Sequence, residues 1–152
     1  MDSNNNYTIR LVREGDLDEL LLMMQEHADY EKAAFSPDGK KERLKKALFN
    51  KFPKLNCWIV EAGGRLAGFV SYTFDYSTWD AAEFVNMDCL FLREYARGFG
   101  IGKDILNRLK EIASARQCIN IQWHTPAFNL RGIHFYQRNN AESKEKVRFT
   151  LR

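Results

Sequence analysis

The chain has 152 residues, of which 45% are hydrophobic and 28% are charged, and this is the composition of an ordinary soluble domain with a core of its own. The formal net charge is +3, from 23 basic and 20 acidic residues dispersed along the chain, so it gives no support for a nucleic-acid partner. No apolar run approaches the length of a membrane span, and the polar start has no signal-peptide core. We expect one domain over residues 1–152, in the cytoplasm, where its three cysteines stay reduced.

The predicted elements of the first half alternate between strands and amphipathic helices. YTIRLV is typical of a first strand, and GDLDELLLMMQEHADYEK predicts a helix that Asp16 caps, with Glu19 completing a capping box. SPDGKKERLKKALF predicts a second helix, with Ser36 as its cap and Pro37 at its first position. NCWIVEA and LAGFVSYTFDY, joined by GGR, predict a β-hairpin.

The second half continues with EFVNMDCLFL as a strand, a glycine loop that leads into a third helix, and CINIQWHT as another strand. NLRGIHFYQRNN predicts a last short helix and KVRFTL a closing strand. The order β-α-α-β-β-β-α-β-α-β predicts a single mixed α/β (α+β) domain. Strict alternation in EFVNMDCLFL would place Val85, Met87, Cys89 and Phe91 on one face, and Asp88 on the other face.

The segment between that strand and the third helix has the features of an anion-binding loop. Gly98, Gly100 and Gly102 alternate before the helix, where glycine lets backbone amides turn toward a ligand and the helix start adds free N–H groups. A dinucleotide fingerprint would require glycine where Lys103 stands, and a P-loop would require glycine where Arg97 stands. What remains is the pattern Arg-x-x-Gly-x-Gly. A simple tight turn between a strand and a helix is the other interpretation.

This pattern, in this position, resembles the acyl-CoA loop of the GNAT acetyltransferases, and the element order matches that superfamily over nearly the whole chain. Within it the chain most resembles the diamine (spermidine/spermine) N-acetyltransferase branch. The matching stretches are Tyr30-Glu31, the F-x-Y-x-x-W of Phe74 to Trp79, RGFGIG, and the N-x-x-x-I-x-FY of Asn129 to Tyr136. The resemblance implies a GNAT-like fold, with a central, mostly antiparallel mixed sheet flanked by about four helices. It also implies acetyl-CoA as co-substrate, no metal, and a homodimer.

The resemblance further implies roles for individual residues. Tyr136 would be the general acid that protonates the coenzyme A thiolate, and Asp88 would be the general base, where the diamine branch has a glutamate. Coenzyme A would lie between the strands at 84–92 and 118–125. Its expected contacts are Leu90, Phe91, Leu92, Arg97, Gly98, Phe99, Gly100, Ile101, Gly102, Lys103, Asn129 and Tyr136. The acceptor amine would lie beside carboxylates and aromatic rings, namely Tyr30, Glu31, Asp75, Tyr76 and Trp79.

Other interpretations of these residues stay open. Asp88 also suits a structural carboxylate, and Glu83 and Asp75 are lesser candidates for the base. Neither Cys57 nor Cys89 has a His or Asp at a recognisable spacing, so an acyl-cysteine route is not favoured. The three histidines fall on separate elements, which gives no metal site.

Together these features predict an acetyl-CoA-dependent N-acetyltransferase. It would transfer the acetyl group directly to a primary amine of a small molecule, which would be a diamine, a polyamine or an amino-acid-like compound. Two alternatives remain: a protein or peptide acetyltransferase, and a non-catalytic acyl-CoA sensor. The sensor stays open because aspartate is one methylene shorter than the glutamate of the diamine branch.

Overall fold

The computed structural model describes residues 6–152, so residues 1–5 of the expected domain and its polar start lie outside the described part. Five strands form one sheet in the order β1-β2-β3-β4-β5, in which only the last pair is parallel. The strands are β1 (Tyr7–Leu11), β2 (Asn56–Ala62), β3 (Arg65–Ser77), β4 (Ala82–Leu92) and β5 (Ile121–Gln122). The helices are α1 (Leu17–Tyr30), α2 (Lys40–Leu48), α3 (Ile101–Ala115) and α4 (Leu130–Arg138).

The core consists of two apolar clusters, one on each face of the sheet. Alternation along β2 divides its residues between them, because Trp58 and Val60 belong to one cluster and Ile59 to the other. The first cluster includes Ile105 and other residues of α3, with α4 packed beside it. The second includes Leu20 and other residues of α1, and the end of α2. Burial on both faces explains why the central strands are continuous apolar runs.

The capping box predicted for α1 is wrong. A 3-10 turn at Glu14–Asp16 precedes the helix, and Asp16 itself has helical backbone angles (φ −87°, ψ −13°). Its buried carboxylate accepts hydrogen bonds from both terminal nitrogens of Arg10, at 2.7 and 2.9 Å, and from the Arg13 N–H at 2.7 Å. Charge-assisted, bidentate bonds are stronger than a neutral cap bond, so the ion pair determines where this carboxylate points. Glu19 bonds Arg93 instead.

The start predicted for α2 is also wrong. The helix begins at Lys40, and its N-cap is Gly39, with φ +68° in the left-handed region that favours glycine. Ser36 accepts the N–H of Asp38 and does not cap the helix. Asp38 and Gly39 therefore form a turn, which the Lys40 N–H closes by donating to the Pro37 carbonyl at 3.0 Å, and the helix starts after it.

The strand alternation predicted for β4 holds only as far as Met87. Ser71 on β3 pairs with Cys89 while its neighbour Tyr72 pairs with Met87, so Asp88 is the extra residue of a β-bulge. One inserted residue reverses the facing of everything after it. Val85 and Met87 accordingly share a cluster with Leu90 and Leu92, whereas Cys89 and Phe91 pack on the opposite face.

The last two predicted strands differ from the structure as well. Of the predicted strand CINIQWHT, only the two residues of β5 form a strand, and they pair with Val85 and Asn86 of β4. KVRFTL is not a strand of this sheet: residues 141–152 have no regular secondary structure, and Phe149 is 89% exposed. Alternation can identify strand character but not the partner that a strand needs. Within residues 6–152, no helix combines the length and apolar character needed to cross a membrane.

We predict that Asp16→Ala lowers the free energy of unfolding at pH 7 by about 3 kcal/mol, because it leaves the mostly buried Arg10 with Glu61 as its one carboxylate partner among the described residues. The Arg10 guanidinium holds the pKa of Asp16 below its ordinary value. This stabilisation is therefore present above about pH 4 and is lost as the pH falls through the folded-state pKa.

The measurement is chemical denaturation, repeated across pH for the wild type. Asp18→Ala is the matched control, because that exposed carboxylate pairs with Lys41 at the surface and should cost less than about 1 kcal/mol. Equal losses for the two variants would contradict the assignment of Asp16 as the structural carboxylate.

Candidate active site

A cavity of about 430 Å³ lies where β4 and β5 separate. The two strands pair at Val85–Ile121 and Asn86–Gln122. The bulge at Asp88 lies two residues further along β4. Beyond that point, β4 has a strand partner in the described chain only on its β3 side. On this side, the backbone of β4 therefore faces an opening and not a paired strand. The other walls of the cavity are α1, the start of α3, and α4.

The glycine loop forms one end of this cavity. Gly98 and Gly100 have φ of +85° and +81°, and a Cβ on either would meet no atom within 4 Å. These two glycines are thus required by backbone conformation, and they leave open space in front of the loop. Gly102 has another role, since a Cβ there would approach the Phe135 ring to 2.7 Å and separate α3 from α4.

The same end of the cavity is positively charged. The first N–H groups of α3 have no partner within the helix, and the helix dipole adds partial positive charge there. Arg97 and Lys103 line the cavity, as do Arg131 and Arg138 of α4. The Arg97 guanidinium donates to the Leu92 carbonyl at 2.8 Å, which fixes its orientation. This arrangement can hold an anion with several oxygens.

Most of the residues expected at coenzyme A do line the cavity. They are Leu90, Phe91, Leu92, Arg97, Gly98, Gly100, Ile101, Gly102, Lys103, Asn129 and Tyr136. Phe99 is the exception: its ring is exposed and lies outside the cavity. Sequence reasoning missed Arg131 and Arg138, although their seven-residue spacing on the predicted last helix indicated a shared face.

Tyr136 is a half-buried residue of α4 whose ring packs against Trp123 (5.0 Å between centroids) and Phe135 (5.4 Å). Burial, helped by the nearby Glu31 and Tyr30, raises the pKa of Tyr136 to about 12. The phenol therefore keeps its proton at neutral pH and is available as a proton donor in the cavity.

The sequence pattern predicts Asn129 within the last helix. In the structure it is the N-cap residue that precedes α4. Its side-chain oxygen accepts the Gly132 N–H at 3.2 Å and the Tyr30 hydroxyl at 2.9 Å. Its amide nitrogen donates to the Thr125 hydroxyl at 2.8 Å. Asn129 thus joins α1 to α4 across the cavity.

The acidic side of the cavity consists of Glu31 and Asp88, with His27 beside them. Asp88 projects from the bulge and is exposed. The Nε2 atom of His27 lies 3.4 Å from the Glu31 carboxylate. Burial lowers the pKa of His27, although Glu31 and Asp88 act in the opposite direction. His27 was not singled out as a site residue from sequence, because its proximity to Asp88 depends on how α1 packs on β4.

The remaining predicted residues separate into two groups. Tyr30 and Glu31 line the cavity as expected. Asp75, Tyr76 and Trp79 lie on the β3–β4 hairpin outside it, and the Trp79 side chain is 99% exposed.

The two lesser candidates for the base also lie outside the cavity. Asp75 accepts the hydroxyl of Thr73, and Glu83 pairs with Arg116 at 3.1 Å. Both carboxylates therefore have structural partners.

Thiol and metal chemistry have little support at this cavity. Burial raises the pKa of both Cys57 and Cys89 to about 12, so each remains a protonated thiol at neutral pH and a poor nucleophile. Among residues 6–152, no group of three or more His, Cys, Asp or Glu side chains is placed to hold a metal ion. Of the histidines, His27 and His124 line the cavity, while His134 does not.

A mixed sheet that opens beside a glycine-lined helix start, with a protonated tyrosine in the same cavity, defines the acetyltransferase class. The family model described as the acetyltransferase (GNAT) family matches residues 21–141, and the chain belongs to this family. It is an N-acetyltransferase, and members of this family use acetyl-CoA. The relatives described next confirm the predicted resemblance to the diamine branch, and the solved structures confirm the predicted fold class.

Two relatives indicate which members of the family are similar. The thialysine N-epsilon-acetyltransferase of Bos taurus is 29% identical in an alignment of 142 positions, which covers 88% of this chain and 83% of the relative. The spermidine/spermine N(1)-acetyltransferase-like protein 1 of Homo sapiens is 26% identical in an alignment of 146 positions, which covers 91% of this chain but 21% of that protein.

Solved structures show the same fold. A possible acetyltransferase from Clostridium difficile 630 superposes with a TM-score of 0.79 at 18% identity, covering 96% of this chain and 97% of that chain. An aminoglycoside N-acetyltransferase in complex with CoA also gives a TM-score of 0.79, at 17% identity, over 100% of this chain and 98% of that chain.

Proposed function

We propose that this N-acetyltransferase uses acetyl-CoA to acetylate the primary amine of a small molecule, which is a diamine, a polyamine or an amino-acid-like compound, by direct transfer. The observation that carries the proposal is that one cavity holds a glycine-lined, positively charged end together with two carboxylates and a protonated tyrosine. The positively charged end suits an anionic cofactor, and the two carboxylates suit a cationic acceptor.

The charged end fits the pyrophosphate of coenzyme A. The free N–H groups at the start of α3 would bond its oxygens, and Arg97 and Lys103 would balance its charge. The backbone edge of β4 beyond the bulge would bond the pantetheine chain and the thioester carbonyl. A solved aminoglycoside N-acetyltransferase with the same fold is in complex with CoA, which supports CoA as the cofactor of this chain.

The chemistry requires a neutral amine, a bound carbonyl oxygen and a protonated leaving group. Asp88 would draw the ammonium group of the acceptor to the bulge and assist its deprotonation. Tyr136 would give its proton to the departing thiolate. A partly buried, apolar pocket destabilises the charged thiolate and so raises its affinity for that proton. An acyl-CoA sensor would not need such a proton donor.

The acceptor is proposed from two facts. The relatives are named for thialysine and for spermidine/spermine, both of which are small amines. Among residues 6–152, only Glu31 and Asp88 supply negative charge to the cavity, and Tyr30 supplies an aromatic ring beside them. Two carboxylates suit an acceptor with one or two ammonium groups.

The free thiols at Cys57, Cys89 and Cys118 support a reducing location such as the cytoplasm.

We further propose that the protein acts as a homodimer through its C-terminal segment, residues 146–151. Apolar residues at every second position there are almost fully exposed: Val147 is 79%, Phe149 89% and Leu151 100%. Such alternation is typical of a strand with one buried face. Because β5 leaves one edge of the sheet without a strand partner in the described chain, a second copy offers both the edge and the apolar cover.

The acid assignment predicts that Tyr136→Phe lowers kcat by about 100-fold or more, because the thiolate would leave without a proton. The affinity for acetyl-CoA, measured by calorimetry, should stay unchanged, since the ring and its packing are kept. Turnover is measured as free thiol release. Tyr95→Phe is the control, because that hydroxyl bonds the Leu66 carbonyl away from the cavity.

Unchanged turnover in Tyr136→Phe would show that another group protonates the thiolate. Loss of turnover together with loss of acetyl-CoA affinity would assign Tyr136 a binding role instead.

The dimer proposal predicts that Phe149→Glu converts the protein from dimer to monomer, because a charge would enter the apolar interface. Light scattering after size-exclusion chromatography gives the molar mass directly. Thr150→Glu is the matched control on the alternate face of the same segment, and it should stay dimeric. A monomeric wild type, or a dimer that survives Phe149→Glu, would contradict this interface.

A further inference from the structure

His27 is held rigidly at the wall of the cavity. Its ring stacks on Phe91, with centroids 5.4 Å apart and 26° between the planes, and meets Phe69 edge-on at 6.0 Å. The side chain is 13% exposed and lines the cavity. An imidazole that served only as apolar filler would be an unusual choice beside two rings and two carboxylates, because its desolvation has a cost.

The charged and titratable groups around His27 come from its own helix and from the elements packed against it. Glu31 follows one turn later on α1, with its carboxylate 3.4 Å from Nε2. Asp88 on β4 is close enough to raise the proton affinity of the ring. Further groups of the same region are Cys89 on β4, Tyr136 on α4 and His124 after β5.

These surroundings make His27 a neutral base with support for a positive charge. Burial outweighs the two carboxylates and lowers the pKa of the ring, so the imidazole is uncharged at neutral pH. When the ring takes up a proton, Glu31 and Asp88 stabilise the cation. A base of this kind operates closer to neutral pH than a solvated carboxylate does.

We propose that His27 accepts the proton that the acceptor ammonium group must lose before it attacks acetyl-CoA. This inference rests on the proposed function and adds to it a proton acceptor beside Asp88. The aspartate, one methylene shorter than glutamate, then serves to hold the ammonium group and to stabilise the protonated ring.

The proposed reaction moves one proton from the ammonium nitrogen to His27 and the acetyl group from sulfur to nitrogen. One N–H bond of the ammonium group breaks and its proton moves to the His27 ring, leaving a lone pair on nitrogen. The lone pair forms the C–N bond to the acetyl carbon, and the C–S bond breaks. Tyr136 gives its hydroxyl proton to the sulfur and regains one from the nitrogen of the new amide. His27 then releases its proton to solvent, so that one proton leaves per turnover.

The test compares the pH dependence of kcat/KM for the wild type, His27→Gln and His27→Phe. Both variants lack a titratable ring, and the second keeps the stack on Phe91. At pH 7 each should lose about 10- to 100-fold in kcat/KM. The loss should shrink as the pH approaches the acceptor's own pKa, about 10 for an alkylamine, where no base is needed.

The wild type supplies the second half of the test. Its kcat/KM should rise with pH through a value below about 6.5, as His27 loses its proton, and this limb should be absent from both variants. Acetyl-CoA affinity by calorimetry should not change. His134→Gln is the control, because that exposed histidine lies on α4 outside the cavity and should leave the profile unaltered.

The outcomes separate this inference from the proposed function. Turnover by the wild type with unaltered profiles in both variants would overturn the role of His27 and leave the proposed function intact. A loss that is the same at every pH would also overturn it, since packing alone would explain that result. No thiol release by the wild type with any amine would remove both proposals. If thermal melts show that His27→Gln is unfolded, His27→Phe decides.

Discussion

The site depends on the separation of β4 from β5. The bulge at Asp88 and the two-residue pairing of β5 end the ladder at Asn86, and the cavity begins directly beyond. A regular β4 paired along its whole length would close this edge and leave the glycine loop without a space to face. The same bulge directs Asp88 outward and sends Phe91 to the opposite face, where it supports His27. One inserted residue therefore positions the opening and the carboxylate, and it places Phe91 where the His27 ring can stack on it.

Local patterns predicted the part of the site that is local in sequence. The glycine loop, the start of α3 and the helix that carries Tyr136 each depend on residues within about ten positions, so spacing and caps identified them. The bulge could not be read, because it arises from pairing with Ser71 on another strand. The partner of the Asp16 carboxylate is likewise Arg10 on β1, and capping rules do not predict that ion pair.

The site residues that sequence reasoning missed are those whose roles depend on tertiary packing. His27 appeared as an isolated histidine on an amphipathic helix, and only the packing of α1 over β4 brings it near Asp88. Conversely, Asp75, Tyr76 and Trp79 matched a motif but follow the β3–β4 hairpin away from the cavity. The segment at 146–151 shows the same limit, since its alternation is clear but it pairs with no strand of the described chain.

The most direct test of the account is thiol release from acetyl-CoA across polyamines, diamines, lysine-like amino acids, aminoglycosides and a short lysine peptide. The account predicts saturable release with one class of small primary amine and little with the peptide. Release with the peptide alone would make the protein a modifier of proteins. No release from any acceptor, with acetyl-CoA still binding tightly by calorimetry, would contradict direct transfer to a small amine.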